Sequence, residues 1–75
     1  MLFPLSRLQR GAKARIVTIN AGRGLVQRLM QMGLIPGAII EVIENSRGPI
    51  LLQVESIRIA IGRGMADKIL VELVK

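Results

Sequence analysis

Arg28-Leu29-Met30-Gln31-Met32-Gly33-Leu34-Ile35-Pro36-Gly37 reads as the end of a helix, a glycine stop and a turn into extended chain. Carried back to Gly24, the helix gathers Leu25, Val26, Leu29, Met30 and Met32 on one side and Gln27, Arg28 and Gln31 on the other. That is the pattern of a half-buried surface helix. Gly33 falls just past the helix end, where the chain turns left-handed and only glycine avoids a Cβ clash. With Met32 as the C-cap, Leu34 takes the place from which a Schellman turn packs back onto Leu29. Ile35 is held extended by the proline after it, and Pro36-Gly37 supplies the central pair of a type II turn. Everything downstream reads as strand, so this block sets the direction in which a sheet is entered.

Upstream, Pro4 to Leu8 reads as a short turn, with Phe3 and Leu5 laid over one end of the core. Gly11 opens a β-type run from Ala12 to Asn20 that carries Ile16, Val17, Thr18 and Ile19. Downstream, Ala38 to Glu44 is a second strand, and Asn45-Ser46-Arg47-Gly48-Pro49 is dense in turn residues. Ile50 to Val54 and Ile57 to Ile61 form a hairpin around Glu55-Ser56, with Ile57, Ile59 and Ile61 on one face. Met65 to Lys68 makes one helical turn, and Ile69 to Val74 is the last strand. Five short strands and one short helix predict an all-β fold, a small, strongly bent five-stranded barrel that hides its sheet edges by curling.

Seventy-five residues make one domain, 1–75, near the size at which a core is only just sufficient. No cysteine is present, so burial must supply the stability, and 51% apolar composition suits that. The strands hold more aliphatics than one buried face can take. Leu51, Leu70 and either Val17 or Ile16 are expected to point outward, so a partner or a small homo-oligomer should cover them. No apolar run reaches the roughly 18 residues of a membrane span, and the start lacks the regions of a signal peptide, so a cytoplasmic protein is expected.

The chemistry of an enzyme is missing. Histidine and cysteine are absent, and the five carboxylates (Glu41, Glu44, Glu55, Asp67, Glu72) are scattered. General bases, nucleophiles and soft metal ligands are therefore lacking, and no catalytic residue, cofactor or metal site is expected. Gly22-Arg23-Gly24 and Gly62-Arg63-Gly64 both place an arginine between glycines before a helical turn. Such a corner could hold an anion on free amides; the simpler reading is a strand-to-helix corner.

The net charge of +6 implies an acidic partner. A nucleic-acid-binding barrel is one reading, but Phe3 is the only aromatic, and base stacking on such barrels needs more. The other reading is a protein partner docked on the helix and the turn after it. Arg28, Met32 and Leu34 would form its centre, with Arg23 and Arg63 adding charge if the two glycine corners lie close.

The chain resembles the FeoA family. The resemblance rests on Leu8-x-x-Gly11, the Arg28 to Gly37 block, Gly48-Pro49-Ile50, Ile59-Ala60-Ile61, Ala66 and Ile69-Leu70-Val71-Glu72. Ser56 departs from it, since the family commonly has glycine in that hairpin. The resemblance implies an SH3-like barrel in bacterial ferrous iron uptake whose partner is FeoB, a membrane transporter with a cytoplasmic GTP-binding domain. The same domain occurs in metal-dependent repressors. Length favours the free-standing protein, because no DNA-binding helices precede Met1.

Overall fold

Six antiparallel strands form one curled ladder: β1 (Phe3–Pro4), β2 (Lys13–Ile19), β3 (Ile39–Glu44), β4 (Ile50–Val54), β5 (Ile57–Ile61) and β6 (Ile69–Leu73). Their order across the sheet is β1-β6-β2-β3-β4-β5 in a computed structural model that describes residues 1–74. Helix α1 (Arg23–Gln31) joins β2 to β3, the one-turn helix α2 (Arg63–Ala66) joins β5 to β6, and a 3-10 turn (Leu5–Arg7) follows β1. This is an SH3-like small barrel with one strand more than the sequence predicts. The extra strand is β1, where Phe3 pairs with Val71 and Pro4 with Leu70. Proline hides it in sequence, yet an edge position tolerates the missing N–H.

The curl has a visible cause. The first half of β2 pairs with β3, and the strand runs on along β6 with a register shift between Ile16 and Thr18. A bulge of this kind bends the strand and raises its twist. It also settles which residue faces in: Ile16 is fully buried and Val17 half-buried. A second shift, between Val42 and Glu44, bends β3 against β4. Among the described residues β1 and β5 do not pair with each other. The 3-10 turn and α2 fill in there, with Leu5 and Ala66 fully buried and Ser6 Oγ donating to Asp67 Oδ1.

Every buried side chain among the described residues is apolar. Leu29 and Leu34 bring α1 into that core together with Ile16, Ile40, Leu52 and Val71. The helix stop has the bonds of a Schellman turn: the Gly33 amide donates to Met30 O at 3.0 Å and the Leu34 amide to Leu29 O at 2.9 Å. Gly33 has φ +90°. The next turn closes with the Ala38 amide donating to Ile35 O at 3.0 Å, with Gly37 at φ +95°.

A Cβ added at Gly33 would stand 3.6 Å from Val54 Cγ1, an ordinary contact, so the cost of alanine there is backbone strain. Gly33→Ala should therefore destabilise by about 1–2 kcal/mol, which lowers Tm by roughly 4–8 °C for each kcal/mol in a domain this small. Thermal melting followed by circular dichroism checks this. A variant melting with the wild type would contradict the left-handed stop.

The surplus aliphatics surface elsewhere than alternation predicts. Leu51 and Leu70 are half-buried, whereas Met30, Ile35, Ile39, Ile57 and Leu73 are exposed.

Candidate functional site

Two of those exposed residues, Ile35 and Ile57, gather where α1 ends. The C-terminal turn of α1 and the β4–β5 turn face each other across an open groove of about 480 Å³, lined by Met32, Gly33, Ile35, Pro36, Val54 and Ile57 among others. Val54 lies close to the helix stop, 3.6 Å from where a Cβ on Gly33 would stand. Val54 and Ile57 are cross-strand partners beside the two-residue turn. That turn holds Glu55 at φ 55°, a conformation uncommon outside glycine. The unusual dihedral thus falls on Glu55, not on Ser56, and Gln53 Nε2 steadies it by donating to Glu55 O at 2.8 Å. Met32 is half-buried against the core, while Ile35 is 41% and Ile57 58% exposed. A neighbouring hollow shares Gly37, Ala38 and Glu55 with the groove and carries exposed Ile39 along the same side.

The predicted site residues divide. Arg28 is exposed one turn before Met32, which puts it at the border of the apolar stripe next to Met32 and not opposite it as the grouping by side suggests. Leu34 does not belong to this surface. It has no accessible area, because the Schellman turn folds it under the helix onto Leu29, and this corrects its assignment as a contact residue. Arg23 is exposed at the start of the helix, about 7 Å along the axis from Arg28 and turned well round it. Arg63 lies beyond the far end of β5, more than about 13 Å from Ile57. Its Nη2 donates to Asn45 Oδ1 at 2.6 Å, and Asn45 Nδ2 in turn donates to the Ser6 and Leu8 carbonyls. Arg63 therefore ties its corner to the neighbouring loops, the simpler of the two readings of that motif.

Sequence reasoning missed Ile35 and Ile57 as site residues. Alternation puts Ile57 on the inward face with Ile59 and Ile61, and the structure agrees that Ile61 is buried. Alternation carries no signal for whether anything covers the end of that face.

Electrostatically the surface is positive and little compensated. The one ion pair among the described residues joins Arg15 Nη1 to Glu72 Oε1 at 2.8 Å, with both side chains substantially exposed. Such a pair contributes little to stability. Among the described residues no three His, Cys, Asp or Glu side chains converge as a metal site would require. Anaerobic calorimetry with ferrous ion should accordingly show no stoichiometric event of micromolar or tighter affinity. Such an event would contradict the ligand inventory. Among the described residues no helix is long and apolar enough to cross a membrane.

Comparison with known proteins agrees with this architecture. The family model described as the FeoA domain matches residues 3–73. The candidate Fe(2+) transport protein A of Methanocaldococcus jannaschii is 41% identical over 71 residues, covering 95% of this chain and 87% of that protein. The crystal structure of an iron uptake regulatory protein (FeoA) is 41% identical with a TM-score of 0.93, covering 99% of this chain and 100% of that one. A manganese-dependent transcriptional repressor matches in fold alone, at 17% identity and a TM-score of 0.88 over 97% of this chain and 42% of that one. With the domain matched almost end to end and two-fifths of the residues identical to a relative of similar length, this chain belongs to the FeoA family.

Proposed function

We propose that this chain is a non-enzymatic accessory protein of ferrous iron uptake that acts in the cytoplasm by docking on a FeoB-type membrane transporter. The observation that carries the reading is the groove of Met32, Ile35 and Ile57, with the exposed Arg28 one helical turn before Met32. An exposed apolar patch rimmed by charge is the usual mark of a protein contact. The residue inventory supports it from the other side, since it offers neither an acid–base pair nor a ligand cluster for chemistry on iron. Iron would be the transporter's cargo, with this chain acting on the transporter.

The rival reading is nucleic-acid binding, favoured by the charge of +6. Counterion release makes such binding fall steeply with salt. Wild-type chain immobilised on resin should retain the transporter from detergent-solubilised membranes at physiological salt. Its affinity for a single-stranded oligonucleotide should be weak, blind to sequence and lost over the same salt range. Tight oligonucleotide binding that persists at physiological salt, with no transporter retained, would favour the rival.

A further inference from the structure

The two edges of the sheet are finished differently. At one side β1 is two residues long and contains Pro4, the kind of edge that cannot recruit another strand. At the other, β5 is five residues long, has no proline, and pairs with β4 without a register shift. In a two-residue hairpin the residues flanking the turn form a hydrogen-bonded pair, and such pairs alternate along the ladder. Val54–Ile57, Leu52–Ile59 and Ile50–Ile61 are then the bonded pairs, which leaves the amide and carbonyl of Arg58 and of Ala60 directed to the free edge. Both residues are exposed, and no backbone hydrogen bond outside the β4 ladder reaches them among the described residues.

The surroundings of that edge specify an occupant. On its inner face Ile57 is 58% exposed and opens onto the groove of Met32 and Ile35, so an added strand would find a place for an apolar side chain. On its outer face Arg58 Nε donates to Gln53 Oε1 at 2.9 Å, while its two terminal nitrogens have no partner among the described residues. A carboxylate across from Arg58 would meet them as a fork. A second copy of the chain is the poorer fit, because each copy carries +6.

We infer that the outer edge of β5 is a strand-addition site for an extended partner segment of alternating apolar and acidic residues. The segment's backbone pairs with Arg58 and Ala60, its apolar side chains enter the groove, and its carboxylates meet Arg58. In such recognition main-chain bonds supply affinity and alternate side chains supply specificity. The inference rests on the reading of the chain as a docking protein and names what the partner presents.

The probe is a short blocked peptide alternating glutamate and valine, titrated into 15N-labelled chain, with the lysine–valine peptide as control. Exchange of the Arg58 and Ala60 amides should slow, the Met32 and Ile57 signals should shift, and the lysine peptide should bind at least about tenfold more weakly. Ala60→Pro removes one outward donor and leaves the β4 bonds, so it should weaken the glutamate peptide by roughly five- to tenfold. Should that variant fold poorly, Arg58→Glu carries the test, because it should reverse the preference between the two peptides. Equal affinity for both peptides, or shifts confined to α1 or β1, would overturn the site. So would slow Arg58 and Ala60 exchange in the free chain that depends on its concentration, which would mark a second copy as the occupant. Transporter capture separates the two readings. Full capture by an Ala60→Pro chain that has lost the peptide would overturn the edge as the transporter's contact and leave docking intact. A wild-type chain that binds the peptide but captures nothing would defeat docking and leave the strand-addition site standing.

Discussion

Leu34→Ala should melt well below the wild type, the largest loss of stability expected from any single truncation next to the groove. Leu34 has no accessible surface, and its amide makes the long bond of the helix stop to Leu29 O. Truncating a buried leucine costs about 2–5 kcal/mol, the spread depending on how far the cavity collapses. Little collapse is available here, because the core cluster that holds Leu34 includes Leu29, fixed by the Schellman turn, and Val54, fixed by pairing with Ile40 and Ile57. Domains of this kind hold about 5–15 kcal/mol in total, and small ones sit low in that range. A Tm fall of roughly 10 °C or more follows. Met32→Ala should cost much less, since Met32 is only half-buried. Similar melting of Leu34→Ala and wild type would mean that Leu34 is a surface residue after all. A partner-binding defect in Leu34→Ala would report unfolding and say nothing about contact.

The residues around Gly33 also explain why some features were readable and others were not. The helix stop and the type II turn are local chemistry: glycine past a cap, proline before glycine, and each occupies its expected dihedral. Strands β2 to β6 follow from β-branched runs between turn residues. The failures all depend on which ends of the chain meet. Leu34 looked available because it follows a stop, and the same stop folds it inward. Arg23 and Arg63 share a motif, yet Arg63 is drawn to Asn45 at the opposite end of β5 from the groove. Ile57 alternates as a core residue, but it is exposed because among the described residues no element covers that end of β5. Pattern fixes a residue's face, and topology decides what lies over it.

Arg28→Glu is expected to have the largest effect on function while leaving the fold intact. Arg28 is exposed, has no partner among the described salt bridges and hydrogen bonds, and is not part of the buried core. Its contribution to folding is limited to offsetting the negative end of α1, which is a small effect at an exposed position. Across an interface, by contrast, placing like charges together costs several kcal/mol. An acidic partner surface seated on Met32, Ile35 and Ile57 would meet the reversed charge one helical turn from the groove. Removing the favourable pair and adding a repulsive one should lower affinity at least about tenfold. Iron uptake in cells carrying the variant should fall toward that of cells lacking the protein.

The docking claim is tested most directly by capture from solubilised membranes with two immobilised chains, wild type and Arg28→Glu, each first shown to be folded and to melt within a few degrees of the other. Bound proteins are identified by mass. The wild type should retain a FeoB-type transporter at physiological salt, and Arg28→Glu should retain about a tenth as much or less. Equal retention by a folded Arg28→Glu chain would contradict docking through this face of α1.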